Sequence, residues 1–145
     1  MEDAITTSID ITADLGRVWD FVSEPGWWIN DGTLGGHRVE RDGDECTVHD
    51  PDLGAFAVGV VALEPRRRAV FTWHPGGDDV PRTTVELTLE AREDGVVRVT
   101  VVETGFAAMS APAHARNYDE NVSGWSEALH LALVRLESRA DAARP

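Results

Sequence analysis

The sequence predicts an α+β fold in which a curved antiparallel β-sheet wraps around a long C-terminal α-helix and two short N-terminal helices close one end. Three observations carry this reading. Short segments of alternating apolar and polar residues, split by turn chemistry, fill the middle of the chain. Beyond Gly105 and Phe106 the period becomes helical, with Val122, Trp125, Leu129, Leu133 and Leu136 forming one apolar stripe from about Ala113 to Ala140. The five tryptophans, Trp19, Trp27, Trp28, Trp73 and Trp125, each fall inside one of these local patterns, and side chains of that size gather around one core or one pocket. A long helical stripe and a one-faced sheet both need cover, and packing one on the other buries both.

The elements follow in order. Ile5, Ile9 and Ile11 share one parity with Thr7, as a half-buried strand requires. Thr12 or Asp14 can cap the helix that follows, where Leu15, Val18, Trp19 and Val22 recur at three- and four-residue spacing. That helix turns Trp19 inward and ends before Pro25-Gly26. A second short turn or helix around Trp27-Trp28 leads into the loop from Asn30 to Gly36. Turn signals then recur at Asp42-Gly43, Pro51-Asp52, Pro65-Arg66, from Pro75 to Pro81, and at Asp94-Gly95, which makes the region an antiparallel meander. Phe56, Val58, Val60 and Ala62 share one parity, as do Phe71 and Trp73, then Val85, Leu87 and Leu89, then Val97, Val99 and Val101. Thr84, Glu86, Thr88 and Glu90, then Arg98 and Thr100, hold the opposite face of the last two strands, so one face is buried and one meets water.

Composition sets the bounds. A chain of 145 residues fits a single domain, residues 1–145, that buries a core without disulfides, and its 42% hydrophobic and 27% charged content is ordinary for a soluble globular protein. The tail from Ala140 to Pro145 is expected to fray. A net charge of -13 repels phosphate backbones and anionic headgroups, so nucleic acid is excluded as a partner, and Arg66-Arg67-Arg68 reads as a solvated turn. The lone Cys46 cannot form an internal disulfide. An acidic N-terminus without a long apolar run argues against a signal peptide and a membrane span, which leaves a cytoplasmic setting as the expectation.

Candidate chemistry is sparse. His37, His49, His74, His114 and His130 show no paired metal-ligand spacing, so no metal and no cofactor is expected. The parity of His74 turns it outward, opposite Trp73, although a bend at Pro75 can redirect it. Gly32, Gly35 and Gly36 with Thr33 lack the lysine and the following helix of a phosphate loop and read as turn chemistry, or as a lid beside Trp27-Trp28. Tyr118, Asp119, Glu120 and Asn121 fall near the start of the long helix, where capping and solvation account for them; a carboxylate turned into an apolar cavity would instead serve as an acid or base. Ser110, Ser123 and Ser126 lack a nucleophile context, and no catalytic residue is assigned.

The residues also resemble a known family. The first strand followed by Ala13-Asp14-Leu15-Gly16-Arg17-Val18-Trp19, the pair Trp27-Trp28, the strand end Val70-Phe71-Thr72-Trp73, the exit Thr104-Gly105-Phe106, and Gly124-Trp125 with leucines after it are similar to the activator of heat-shock-protein-90 ATPase homologue-like family of the START-like, or SRPBCC, superfamily. The resemblance spans essentially the whole chain. It implies a helix-grip fold that often encloses an apolar cavity, and a superfamily containing lipid and steroid carriers, polyketide aromatase/cyclases and domains that stimulate a chaperone ATPase. Such a fold hosts several functions, so the site has to choose among them. The leading expectation is non-catalytic binding of a small hydrophobic or aromatic ligand by Trp28, Phe56, Phe71, Trp73, Phe106, Met109 and Trp125, against the plainer reading of the same aromatics as core filling. The alternatives are an interaction module for a chaperone or other protein partner, and a cyclase- or hydrolase-type enzyme using the same cavity.

Overall fold

The computed structural model describes residues 2–75, 77 and 80–142, with side chains through residue 138. Strand β1 (Ala4–Thr12) leads into α1 (Leu15–Val22), and strands β2 (Arg38–Asp42), β3 (Glu45–Asp50), β4 (Gly54–Glu64), β5 (Arg68–Trp73), β6 (Thr83–Ala91) and β7 (Val96–Thr104) precede α2 (Ala111–Ala142). All seven strands form one antiparallel sheet in the order β1-β7-β6-β5-β4-β3-β2. A meander with its first strand returned to the far edge is the helix-grip arrangement, and α2 covers the concave face. The register shifts between Val60 and Ala62, and such a bulge increases local twist and helps an 11-residue strand curve around a helix.

Local chemistry explains the element ends. The Asp14 carboxylate caps α1 by accepting from the Arg17 amide, and Ser110 Oγ does the same for α2 by accepting from the Ala113 amide at 3.3 Å. Pro112 stands in the first turn of α2, where a missing N–H breaks no intrahelical bond. The second N-terminal helix of the sequence reading is instead a run of turns. Gly26 is the reason: its φ of +72° lies outside the helical region, and a Cβ there would stand 2.9 Å from Val48 Cγ2. This close approach to β3 delivers Trp27, Trp28 and Ile29 to the core, all buried.

The inward parities hold for most strands, with Val85, Leu87, Leu89, Val97, Val99 and Val101 all buried. On α2 the stripe differs from its sequence reading. Val122 is 42% exposed, and the buried ridge runs through Ala113, Asn117, Trp125, Leu129, Ala132 and Leu136. Tyr118 Oη donates to the Ala4 carbonyl at 2.9 Å, and Glu137 accepts from the Thr12 amide at 2.9 Å, so α2 holds the edge strand β1 at both ends. Helix α2 begins two residues before the expected Ala113 and extends to Ala142; of the tail expected to fray, residues 143–145 lie outside the described ones. Part of the stretch from Pro75 to Pro81 lies outside them as well. Pro65 to Arg67 form the turn before β5, and Arg68 at the start of that strand pairs with Glu64 at 2.7 Å at the surface. Among the described residues no helix is long and apolar enough to cross a membrane.

Candidate ligand cleft and its buried carboxylate

Glu103 organises the aromatic end of the molecule. It ends the inward row of β7, where Val97, Val99 and Val101 precede it, and it is fully buried. The sheet register aligns it with Ile5 on one side and with Val85 and then Phe71 on the other. A carboxylate among such neighbours is costly unless hydrogen-bonded. Here it is saturated: Oε1 accepts from Trp125 Nε1 at 2.7 Å and from Asn121 Nδ2 at 3.1 Å, and Oε2 accepts from Trp73 Nε1 at 2.9 Å and from the Thr83 hydroxyl. Two oxygens offer about four lone-pair positions, and four donors fill them. No cation pairs with it among the described residues.

The consequence is geometric. Trp73 on β5 and Trp125 on α2 come from opposite layers, yet both direct their N–H edges at one carboxylate. Trp28 stands against both, with ring centroids 5.5 Å from Trp73 and 5.4 Å from Trp125, and it also packs on Phe71 at 5.5 Å and on Trp27 at 6.2 Å. These tilted and edge-on contacts are the favourable arrangements for aromatic rings.

Beside this cluster lies a cleft of about 230 Å³, walled by Trp28, Phe56, Trp73, Trp125 and Ala128 and rimmed by Asn30, Asn121 and Glu127. Four of the seven sequence-assigned residues therefore meet there: Trp28, Phe56, Trp73 and Trp125. The other three do not line it. Phe71 is fully buried behind Trp28, Phe106 is fully buried against Tyr118 at 5.4 Å, and Met109 is 4% exposed in the core. Gly124 lines the cleft next to Trp125. A Cβ at Gly124 would meet nothing within 4 Å, so this residue keeps the cleft wall low.

Glu103, Thr83 and Asn121 are the working residues the sequence reading passed over or placed elsewhere. A signal for two of them exists. Extending the parity of Val97, Val99 and Val101 by two residues puts Glu103 on the buried face, and extending that of Val85 and Leu87 backwards does the same for Thr83. Asn121, read as part of a solvated helix start, lies a full turn before Trp125 on the side facing Glu103. Asp119 and Glu120 are exposed as expected. His74 leaves the cleft, with Nδ1 against the Val80 carbonyl at 2.7 Å and Nε2 accepting from Arg82 Nε at 3.2 Å.

His37 and Asp50 form a second polar pair, Nε2 to Oδ2 at 3.0 Å, and Asp50 Oδ1 also accepts from the Asp52 and Leu53 amides at 2.9 Å. Burial pushes the Asp50 carboxyl up, but the two amides and the His37 ring outweigh it and hold its pKa below the ordinary value. A depressed folded-state pKa stabilises the protein above the unfolded value of about 3.9, and that contribution disappears as pH falls through the lower folded value. Asp50→Asn is accordingly expected to lower stability at neutral pH and to flatten its decline below about pH 4. Denaturant midpoints measured between neutral and strongly acidic pH check this, and an unchanged acid limb would refute the assignment. Burial raises the pKa of the Cys46 thiol, which makes it a weak nucleophile. Among the described residues no group of three or more histidines, cysteines or acids is placed to hold a metal ion.

Residues 12–136 match the family described as activator of Hsp90 ATPase homolog 1-like protein. The chain belongs to this family. Solved structures share its START-like fold. MLL2253 from Mesorhizobium loti superposes with a TM-score of 0.70 at 19% identity, covering 94% of this chain and 97% of that one. DynU16, described as a putative protein in the dynemicin biosynthetic locus, gives 0.71 at 21% identity and covers 94% of this chain and 48% of that one, so this chain spans about half its length. The Aha1 dimer from Colwellia psychrerythraea gives 0.66 at 16% identity, covering 94% and 97%. No curated protein matches the sequence. At these identities the likeness is one of fold, and function has to be argued from the site.

Proposed function

We propose that the protein is a non-catalytic carrier or sensor that binds a small hydrophobic or aromatic molecule in the cleft between the sheet and α2. One observation carries the reading: the Nε1 atoms of Trp73 and Trp125 are both bonded to Glu103, so these two walls offer the cleft carbon surface and no free N–H donor. Cleft size points the same way, since an apolar cavity of about 150 Å³ holds benzene and this one is somewhat larger. It fits a molecule of one or two fused rings, with Asn30, Asn121 and Glu127 at the rim for a polar substituent.

The enzyme alternative lacks a free buried acid or base beside the cleft among the described residues. Glu103 is the buried carboxylate beside the cleft, and its acceptor positions are filled by side chains, so it acts as a positioning residue for the indoles. The family description supports an interaction with a chaperone as the alternative. Among the described residues the exposed large apolar side chains divide between two elements, with Leu53, Val61 and Leu63 at or just before β4 and Val122 and Val134 on α2, and a docking patch would have to be contiguous. Titration with indole, naphthalene derivatives and short fatty acids, followed by tryptophan fluorescence, tests the proposal. Saturable quenching with a Kd of about 1–100 µM is expected for the ring compounds. Silence up to millimolar concentrations, together with stimulation of a chaperone ATPase, would replace it with the interaction reading.

A further inference from the structure

Trp27 lines a second cleft, of about 220 Å³, separate from the one proposed above. Its apolar walls are Phe21, Pro25, Trp27 and Val39. Among its polar groups, which include Glu24 and His37, two donors lack acceptors. The buried Nε1 of Trp27 and Nε of Arg135 have no hydrogen-bond partner among the described residues. Arg135 reaches from α2 to give one hydrogen bond, from Nη1 to the Leu34 carbonyl at 3.3 Å, and its guanidinium carbon stands 5.7 Å from the Phe21 ring centroid. Its Nε is buried without an acceptor, and no carboxylate stands against its Nη2 among the described residues.

Among the described residues Arg135 has no carboxylate partner, in a chain with 26 acidic and 13 basic residues. The acids closest to the cleft have other partners: Glu24 pairs with Arg41 at 3.2 Å, and Asp50 holds His37 at 3.0 Å. The guanidinium is the group around which the loop is fitted. Gly35 has a φ of +95°, and a Cβ there would stand 3.0 Å from Arg135 Nη1, so the loop closes on the arginine only with glycine at this position. A guanidinium is shaped for two parallel bonds to a carboxylate.

We propose that this cleft is a binding site for a small apolar carboxylate, an aryl or short-alkyl acid whose body packs on Phe21, Pro25, Trp27 and Val39 and whose anion is held by Arg135. The test is an NMR titration of the full chain with benzoate, following the indole N–H resonances assigned through single Trp→Phe variants, with benzamide as the uncharged probe of the same shape. Benzoate is expected to shift the Trp27 indole signal saturably with a Kd on the order of 1 mM, and benzamide to bind about tenfold more weakly. Arg135→Met is expected to weaken benzoate about tenfold and to leave benzamide unchanged. Glu24→Gln removes a negative charge from an exposed rim position and is expected to tighten benzoate; should Arg135→Met not fold, the absence of tightening in Glu24→Gln overturns the proposal by itself. Equal binding of the two probes, undiminished benzoate binding in Arg135→Met, or shifts confined to the Trp28 and Trp125 indoles also overturn it. Those last two indoles report the first cleft, so the two sites succeed or fail separately.

Discussion

Replacement of Glu103 by glutamine is expected to lower the unfolding free energy by about 2–4 kcal/mol, although the side chain keeps its size. The argument is one of donors. Each carboxylate oxygen receives one indole N–H, Trp125 on Oε1 and Trp73 on Oε2, and an indole nitrogen cannot accept. Glutamine supplies one carbonyl and one NH2 group, so in either orientation an N–H faces an indole N–H. The Thr83 hydroxyl can rotate and the Asn121 amide can flip, but neither indole has such a choice. Glu103→Ala adds a cavity between β7 and α2 and is expected to cost about 4–5 kcal/mol. Glu86 lies one strand away on the opposite face, paired with Arg68 at the surface, and Glu86→Gln is expected to change stability by less than about 1 kcal/mol. Denaturant unfolding followed by fluorescence measures all three. Equal effects of Glu103→Gln and Glu86→Gln would show that the buried carboxylate does not organise the indoles.

The tryptophans give the second large effect, through a contrast between two identical substitutions. Trp125→Phe removes an N–H bonded to a buried carboxylate and is expected to cost about 2–3 kcal/mol, since bonds to charged groups contribute about 1.5–3 and some area is lost as well. Trp28→Phe removes an N–H that has no partner among the described residues, so only packing area is lost, on the order of 1 kcal/mol. Trp125→Ala is expected to cost about 3–5 kcal/mol, because the ring is 3% exposed and packs on Trp27 and Trp28. The same change is expected to weaken ring-compound binding at least tenfold by removing a cleft wall. A smaller loss for Trp125→Phe than for Trp28→Phe would contradict the assigned hydrogen bonds. Retained ligand affinity in Trp125→Ala would place the ligand elsewhere.

The sequence by itself determined the architecture. Parity in β6 and β7, the turn pairs between strands and the helical period after Phe106 each report a local geometry, because side-chain direction along a strand or helix is fixed by backbone repeat. Those signals place Val85, Leu87, Val99 and Val101 on the covered face and α2 across it, where they are found. Four of the cleft residues were legible for the same reason, as large aromatics on inward positions. Local pattern fails where a long-range partner sets the outcome. Phe71, Phe106 and Met109 have the same inward signature as Trp73, and only their neighbours decide that they fill the core and do not face the cleft. Glu103 shows this most clearly. The alternation puts it inside, but its tolerance there depends on donors 18 to 30 residues away on β5, β6 and α2, and the direction in which two indoles point depends on it in turn. The likewise remote Arg135 meets Leu34 and Phe21 only because α2 crosses back over the N-terminal turns. Hydrogen-bond satisfaction in a low-dielectric interior is a property of the assembled layers, and no single segment of the chain encodes it.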